Sequence, residues 1–259
     1  MLAAIHDLAD YTHSKAMSEA VTEGKWKPEL LITLGKVGLP RYAHFIARHR
    51  NDSDAVVRQA VAVGLGLIDN DAITIPVLVE LLSQGDAKKD FDVRWESAHS
   101  LQAIAARKGL ASVQGRLQRL LEDPDSMTAV LAGGVLASAG DPRGVATLRT
   151  LAGHRNAKIR QEALLWLASV RDRRLKDVAE HRLRDESLAV RACAIYMLGM
   201  LGDSTLIPEL EQAAREAIEY EKELRAKTGA TDERYGLYAF DPRETLEEAI
   251  GLARKGTGK

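Results

Sequence analysis

The amino-acid sequence predicts an all-α fold: a right-handed α-solenoid of about six helical hairpins with helical caps. Three observations lead there. One motif recurs every 31 to 36 residues. Its apolar positions follow the 3.6-residue period of a helix, and clusters of Gly, Asp or Pro separate one helical stretch from the next.

The repeat emerges when the chain is slid along itself. Residues 190–203 align without a gap on residues 159–172, pairing Arg191 with Arg160 and Leu198 with Leu167. The same frame finds Arg94 with Leu101 and Arg58 with Leu65, and two weaker copies pair Ala129 with Leu136 and Lys27 with Leu34. The marker column is therefore Lys27, Arg58, Arg94, Ala129, Arg160 and Arg191, and the residue seven positions later is leucine in every copy. Apolar or small residues one before the marker and three, four, seven and ten after it make one helical stripe, which predicts a buried face. After each marker helix a turn cluster such as Gly202-Asp203 or Gly140-Asp141-Pro142 precedes a second apolar-periodic stretch. Each copy thus reads as a hairpin. One hairpin cannot bury its stripe alone, so neighbours must stack.

An Asp or Asn lies four residues before the marker in several copies, at Asp54, Asp90, Asp125 and Asn156, where a side-chain oxygen caps a helix. Stacking places these groups in ladders, and the marker arginines are expected to tie adjacent copies together by charge-assisted hydrogen bonds.

The pattern Arg-x-x-Ala-x-x-x-Leu-Gly, followed by Gly-Asp and a returning helix, resembles the short HEAT-like repeat shared with phycobilisome lyases. The resemblance covers roughly residues 24–215 and implies the fold only, because the matching residues are those of the repeat. That repeat serves scaffolds, chaperones, chromophore lyases and a few enzymes.

The ends read differently. Residues 1–23 predict an N-terminal capping helix, with Leu2, Ile5, Leu8, Ala9 and Thr12 on one side. Residues 24–215 form the repeat array, and residues 216–259 a C-terminal helical cap and tail, with a last helix from Pro242 to Arg254. The two longer spacings carry polar inserts at Gln84 to Asp90 and near Arg107 to Gly109.

Lys and Arg number 36 against 37 Asp and Glu, for a formal net charge of -1. No global field draws nucleic acid or an anionic membrane. A single cysteine, no apolar run of membrane-spanning length, and a start without a basic segment followed by an apolar one predict a soluble, cytoplasmic protein.

No residue set demands catalysis, a metal or a cofactor. Glu96 and His99 have the i, i+3 spacing of a carboxylate–histidine metal pair, yet the second such pair is absent. Deoxyhypusine hydroxylase, a HEAT-repeat enzyme, carries His-Glu pairs, and no adjacent His-Glu occurs here. Cys193 lacks a spaced Cys or His partner and reads as a buried thiol. Trp95 beside Glu96, Trp166, and the run Arg171, Arg173, Arg174, Lys176, Arg182 and Arg184 invite comparison with HEAT-like DNA glycosylases, but the neutral balance disfavours nucleic acid.

The leading functional reading is a non-catalytic scaffold or adaptor for another protein or protein complex. The alternatives are a phycobilisome-lyase-like chromophore attachment factor and a nucleic-acid-binding or glycosylase protein. Positions two, five, six and nine after the marker lie opposite the buried stripe. They are mostly polar in the first and third copies but read Glu162, Leu165, Trp166, Ser169 and Cys193, Tyr196, Met197, Met200 in the last two. Leu165, Trp166, Tyr196 and Met200 are the candidate partner-binding patch on a concave surface. Burial of that patch by a C-terminal segment carrying Tyr235, Tyr238 and Phe240 is the competing arrangement, and homodimerisation a third.

Overall fold

The computed structural model describes residues 27–85, 89–111, 113–171, 173–228 and 242–255. The expected N-terminal helix and the segment with Tyr235, Tyr238 and Phe240 lie outside these residues. The described secondary structure is helical, and the chain forms two compact units, residues 1–139 and 140–259.

The first unit holds α1 (Lys27–Val37), α2 (Tyr42–Ala47), α3 (Ala55–Gly66), α4 (Asp71–Ser83), α5 (Phe91–Lys108), α6 (Gln114–Leu120) and α7 (Ser126–Ser138). The second holds α8 (Pro142–Leu151), α9 (Ala157–Val170), α10 (Lys176–Glu180), α11 (Leu188–Met200), α12 (Ile207–Thr228) and α13 (Pro242–Lys255). Marker helices pack in sequence against one another, α1 on α3, α3 on α5 and α5 on α7 in the first unit, α9 on α11 and α11 on α13 in the second. The helical hairpins expected from the repeat are therefore present and stacked within each unit.

The leucine column is the core. Leu34, Leu65, Leu101, Leu136, Leu167 and Leu198 are all at most 2% exposed. The residue after it sets how close the helices come. A methyl group on Gly35 would lie 2.5 Å from the Gly64 carbonyl oxygen, and one on Gly199 would lie 2.5 Å from the Ala249 Cα. Only a hydrogen fits at these two crossings.

The polar loops form a second set of links. Lys27 pairs with Asp52 at 2.9 Å, Arg58 with Asp90, Arg94 with Asp125 at 2.5 Å, and Arg160 with Asp185 at 2.6 Å. Each pair joins one repeat to the loop that opens the next. The same guanidinium groups also donate to the loop before their own helix, Arg94 to the Gln84 and Gly85 carbonyls, Arg160 to that of His154, Arg191 to that of Asp185. The fourth marker is Ala129, which has no charge to offer. Three of the expected caps form: Asp54, Asp125 and Asn156 accept from the backbone N–H two residues on. Asp90 instead gives its carboxylate to Arg58.

One repeat frame was not evident from the regular spacing. In α13, Arg243, Leu246, Ile250 and Gly251 reproduce the Arg-x-x-Leu-x-x-x-Ile-Gly order. The helix packs on α11, burying Thr245, Ala249 and Ala253, while Leu246 and Ile250 of the frame stay half-buried. Its outward face carries exposed Glu247, Glu248, Arg254 and Lys255, and a methyl group on Gly251 would meet nothing within 4 Å.

Since Leu167 is wholly buried, Leu167→Ala should lower the unfolding free energy by about 2–5 kcal/mol in chemical denaturation. A loss below about 1 kcal/mol would place the leucine column outside the core.

Candidate functional site

The candidate patch lies on α9 and α11, neighbouring marker helices of the second unit. Their shared face is layered. Glu162, Trp166, Cys193 and Met197 are buried, whereas Leu165, Tyr196 and Met200 are half-buried and Ser169 is exposed. The reachable apolar part is therefore Leu165, Tyr196 and Met200, with the Trp166 indole, at 4% exposure, belonging to the packed interior.

Two charged groups flank Tyr196. Glu248 of α13 and Arg171, the residue ending α9, both act on the phenol, whose pKa is raised chiefly by burial. Arg171 holds a φ of +54°, in the left-handed region. The equivalent position, eleven after the marker, is Gly38, Gly140 and Gly202 in other repeats, with φ of +73°, +82° and +65°. A side chain there costs about 1–2 kcal/mol relative to glycine, and its alignment with these glycines is the one sequence signal of it.

Beneath the patch sits a carboxyl group. Glu162 is 2% exposed, with Lys158 one turn earlier as the neighbouring cation. Burial pushes its pKa up to about 7. Cys193 lies beside it, and burial first, then the Glu162 charge, pushes its thiol up as well. A thiol so placed stays protonated and is a poor nucleophile.

The other sequence candidates are occupied in structural roles. His99 stacks on Trp95 with ring centroids 3.7 Å apart and donates from Nδ1 to the Trp95 carbonyl at 2.9 Å. Glu96, whose pKa is raised by burial, is hydrogen-bonded by Gln59. Among the described residues no group of three or more His, Cys, Asp or Glu converges as a metal site. Three of the six residues of the basic run meet acids: Lys176 meets Glu180 at 2.8 Å, Arg182 meets Asp185 at 3.6 Å and Arg184 meets Glu216 at 2.9 Å. None of the described helices is long and apolar enough to cross a membrane.

The family model for HEAT repeats matches residues 113–186 and again residues 151–226. Residues 113–226 are HEAT repeats. Among solved structures, Escherichia coli YibA is similar over 88% of this chain and 86% of its own, at 18% identity and a TM-score of 0.50. An engineered protein is similar over 83% of this chain and 99% of its own, at 20% identity and a TM-score of 0.42. Human deoxyhypusine hydroxylase is similar over 88% and 89%, at 19% identity and a TM-score of 0.34. At such identities the YibA likeness shows the helical-repeat fold and no activity. No curated protein matches the chain by sequence.

The HEAT-repeat face should show its buried carboxyl in a pH profile. The folded pKa of Glu162, about 7, exceeds the ordinary 4.5, so the folded state holds the proton more tightly. Full stability is then present below pH 4.5 and is lost as the pH rises through 7. Across that window the wild type should lose about 3 kcal/mol relative to Glu162→Gln. Parallel stability profiles for the two proteins from acid to neutral pH would contradict this placement of the carboxyl.

Proposed function

We propose that this HEAT-repeat protein is a non-catalytic scaffold or adaptor that presents the α9–α11 face to a partner protein. The observation that carries the reading is the half-buried trio Leu165, Tyr196 and Met200, which lies on two adjoining helices above a packed layer containing Trp166. A tyrosine with one apolar face and a polar tip, set among aliphatic side chains on rigid helices, suits protein recognition. Arg171 adds a second support. It keeps a strained backbone beside Tyr196 where other repeats use glycine, and strain of this kind is retained where a side chain is needed. Glu96, His99 and Cys193 are engaged by their neighbours, Glu96 with Gln59, His99 with Trp95 and Cys193 by burial beside Glu162.

The test is capture from the source cell with full-length protein, followed by identification of the bound chain and measurement of its affinity. Tyr196→Ala with Met200→Ala should weaken that affinity by about tenfold or more while leaving the thermal midpoint within a few degrees of wild type. Trp166→Ala is the control for the interior and should lower the midpoint. Undiminished capture by the double variant would refute the assignment of the face.

A further inference from the structure

The first unit carries a second apolar face, unlike the polar faces of its neighbouring repeats. In α3 and the residue after it, Val56, Val63 and Leu67 recur at i, i+7 and i+11, which puts them on one side of the helix. Val56 is 56% exposed and Leu67 48%, the two highest values for large apolar side chains among the described residues. Their backbones lie about 16 Å apart along the helix axis. Isolated exposed apolar residues are ordinary, but here three share one side of one helix, with half-buried Gln59 and buried Ala60 between Val56 and Val63. Half-buried Ile32 of α1 and half-buried His99 of α5 occupy the positions that correspond to Val63 on either side, and Trp95 stacks on the His99 ring. The close approach of Gly35 and Gly64 fixes the distance between α1 and α3.

Charge gives this face a direction. Exposed Glu29 of α1 and Asp92 of α5 lie at its N-terminal end, and exposed Lys36 of α1 and Arg107 of α5 at its C-terminal end. All four share the corresponding side of their helices. A helix lying antiparallel to α3 would bring its own C-terminal half to the acidic end and its N-terminal half to the basic end. Helices favour acidic residues near their N-termini and basic residues near their C-termini, so an ordinary amphipathic helix already has the complementary polarity.

We propose that Val56, Val63 and Leu67 form the floor of a docking face for one amphipathic helix of a partner protein. The helix runs antiparallel to α3, with its acidic N-terminal half against Lys36 and Arg107 and its basic C-terminal half against Glu29 and Asp92. This face is separate from Leu165, Tyr196 and Met200, and recognition follows the helix-in-groove mode.

The experiment uses the full-length chain and two fluorescent synthetic helices of about 18 residues, both with leucines at i, i+3, i+4, i+7 and i+11. One carries glutamates in its first half and lysines in its second, and its twin has these charges exchanged. Fluorescence anisotropy at about 0.1 M salt keeps surface charge unscreened over contact distances. The first peptide should bind saturably and at least about fivefold more tightly than its twin, and Val56→Glu with Leu67→Glu should weaken it by about tenfold or more. A second variant, Lys36→Glu with Arg107→Glu, should reverse or erase the preference between the peptides. Equal affinity for the two peptides, or binding indifferent to Val56→Glu with Leu67→Glu, would overturn the proposal. So would failure to bind either peptide. A dimer detected by light scattering and dissolved by Val56→Glu with Leu67→Glu would assign the face to a second copy and overturn it equally.

Discussion

A two-helix hairpin of this size has an apolar stripe on its first helix and too little partner surface to cover it. Each repeat therefore depends on the marker helix beside it for burial of the leucine seven positions after the marker. Near-zero exposure of Leu65, Leu101, Leu167 and Leu198 shows that dependence satisfied. Direct contact between successive marker helices is what achieves it, and contact is possible because the position after the leucine is glycine where the backbones come closest. Gly35 and Gly199 are thus steric requirements of the stack, over and above any helix propensity.

Polar chemistry is arranged around this apolar constraint. Marker arginines fix the loop before their own helix and reach the acidic residue that opens the next repeat, so one guanidinium holds two connections. Their fork-shaped donor set suits that double duty better than an ammonium, and Lys27 makes the single ion pair at the start of the series. At the positions of buried Ile195 and half-buried Tyr196 of α11, α13 carries exposed Glu247 and Glu248. The helix buries Thr245, Ala249 and Ala253 against its neighbour and turns charge to the other side.

Much of this was legible from residues alone because the leucine and arginine columns keep constant spacing. Helix starts were legible for the same reason, through Asp54, Asp125 and Asn156. The seventh frame in α13 escaped because the 22-residue α12 displaces Arg243 from the regular interval. Trp166 read as a surface hot spot, since sequence position gives the side of a helix but not the depth at which a large ring packs. Its 4% exposure comes from tertiary neighbours. Val56 and Leu67 carry no such signal, because exposed aliphatic residues in a repeat of regular spacing look in sequence like those of the buried stripe. Left-handed Arg171 carries no sequence signal except its alignment with Gly38, Gly140 and Gly202.

The claim that marker-helix contact governs the structure is tested most directly by one substitution made at two equivalent places, with unfolding free energies measured by denaturant titration. Gly199 and Gly251 hold the same position in the motif, but a methyl group meets Ala249 at the first and open space at the second. Gly199→Ala should destabilise the protein by about 1–3 kcal/mol through overpacking. Gly251→Ala should stabilise it by about 0.5–1 kcal/mol through helix propensity. Equal changes of the same sign at both sites would contradict the claim, because they would show that the glycine is kept for a property of the single helix and not for the approach of its neighbour.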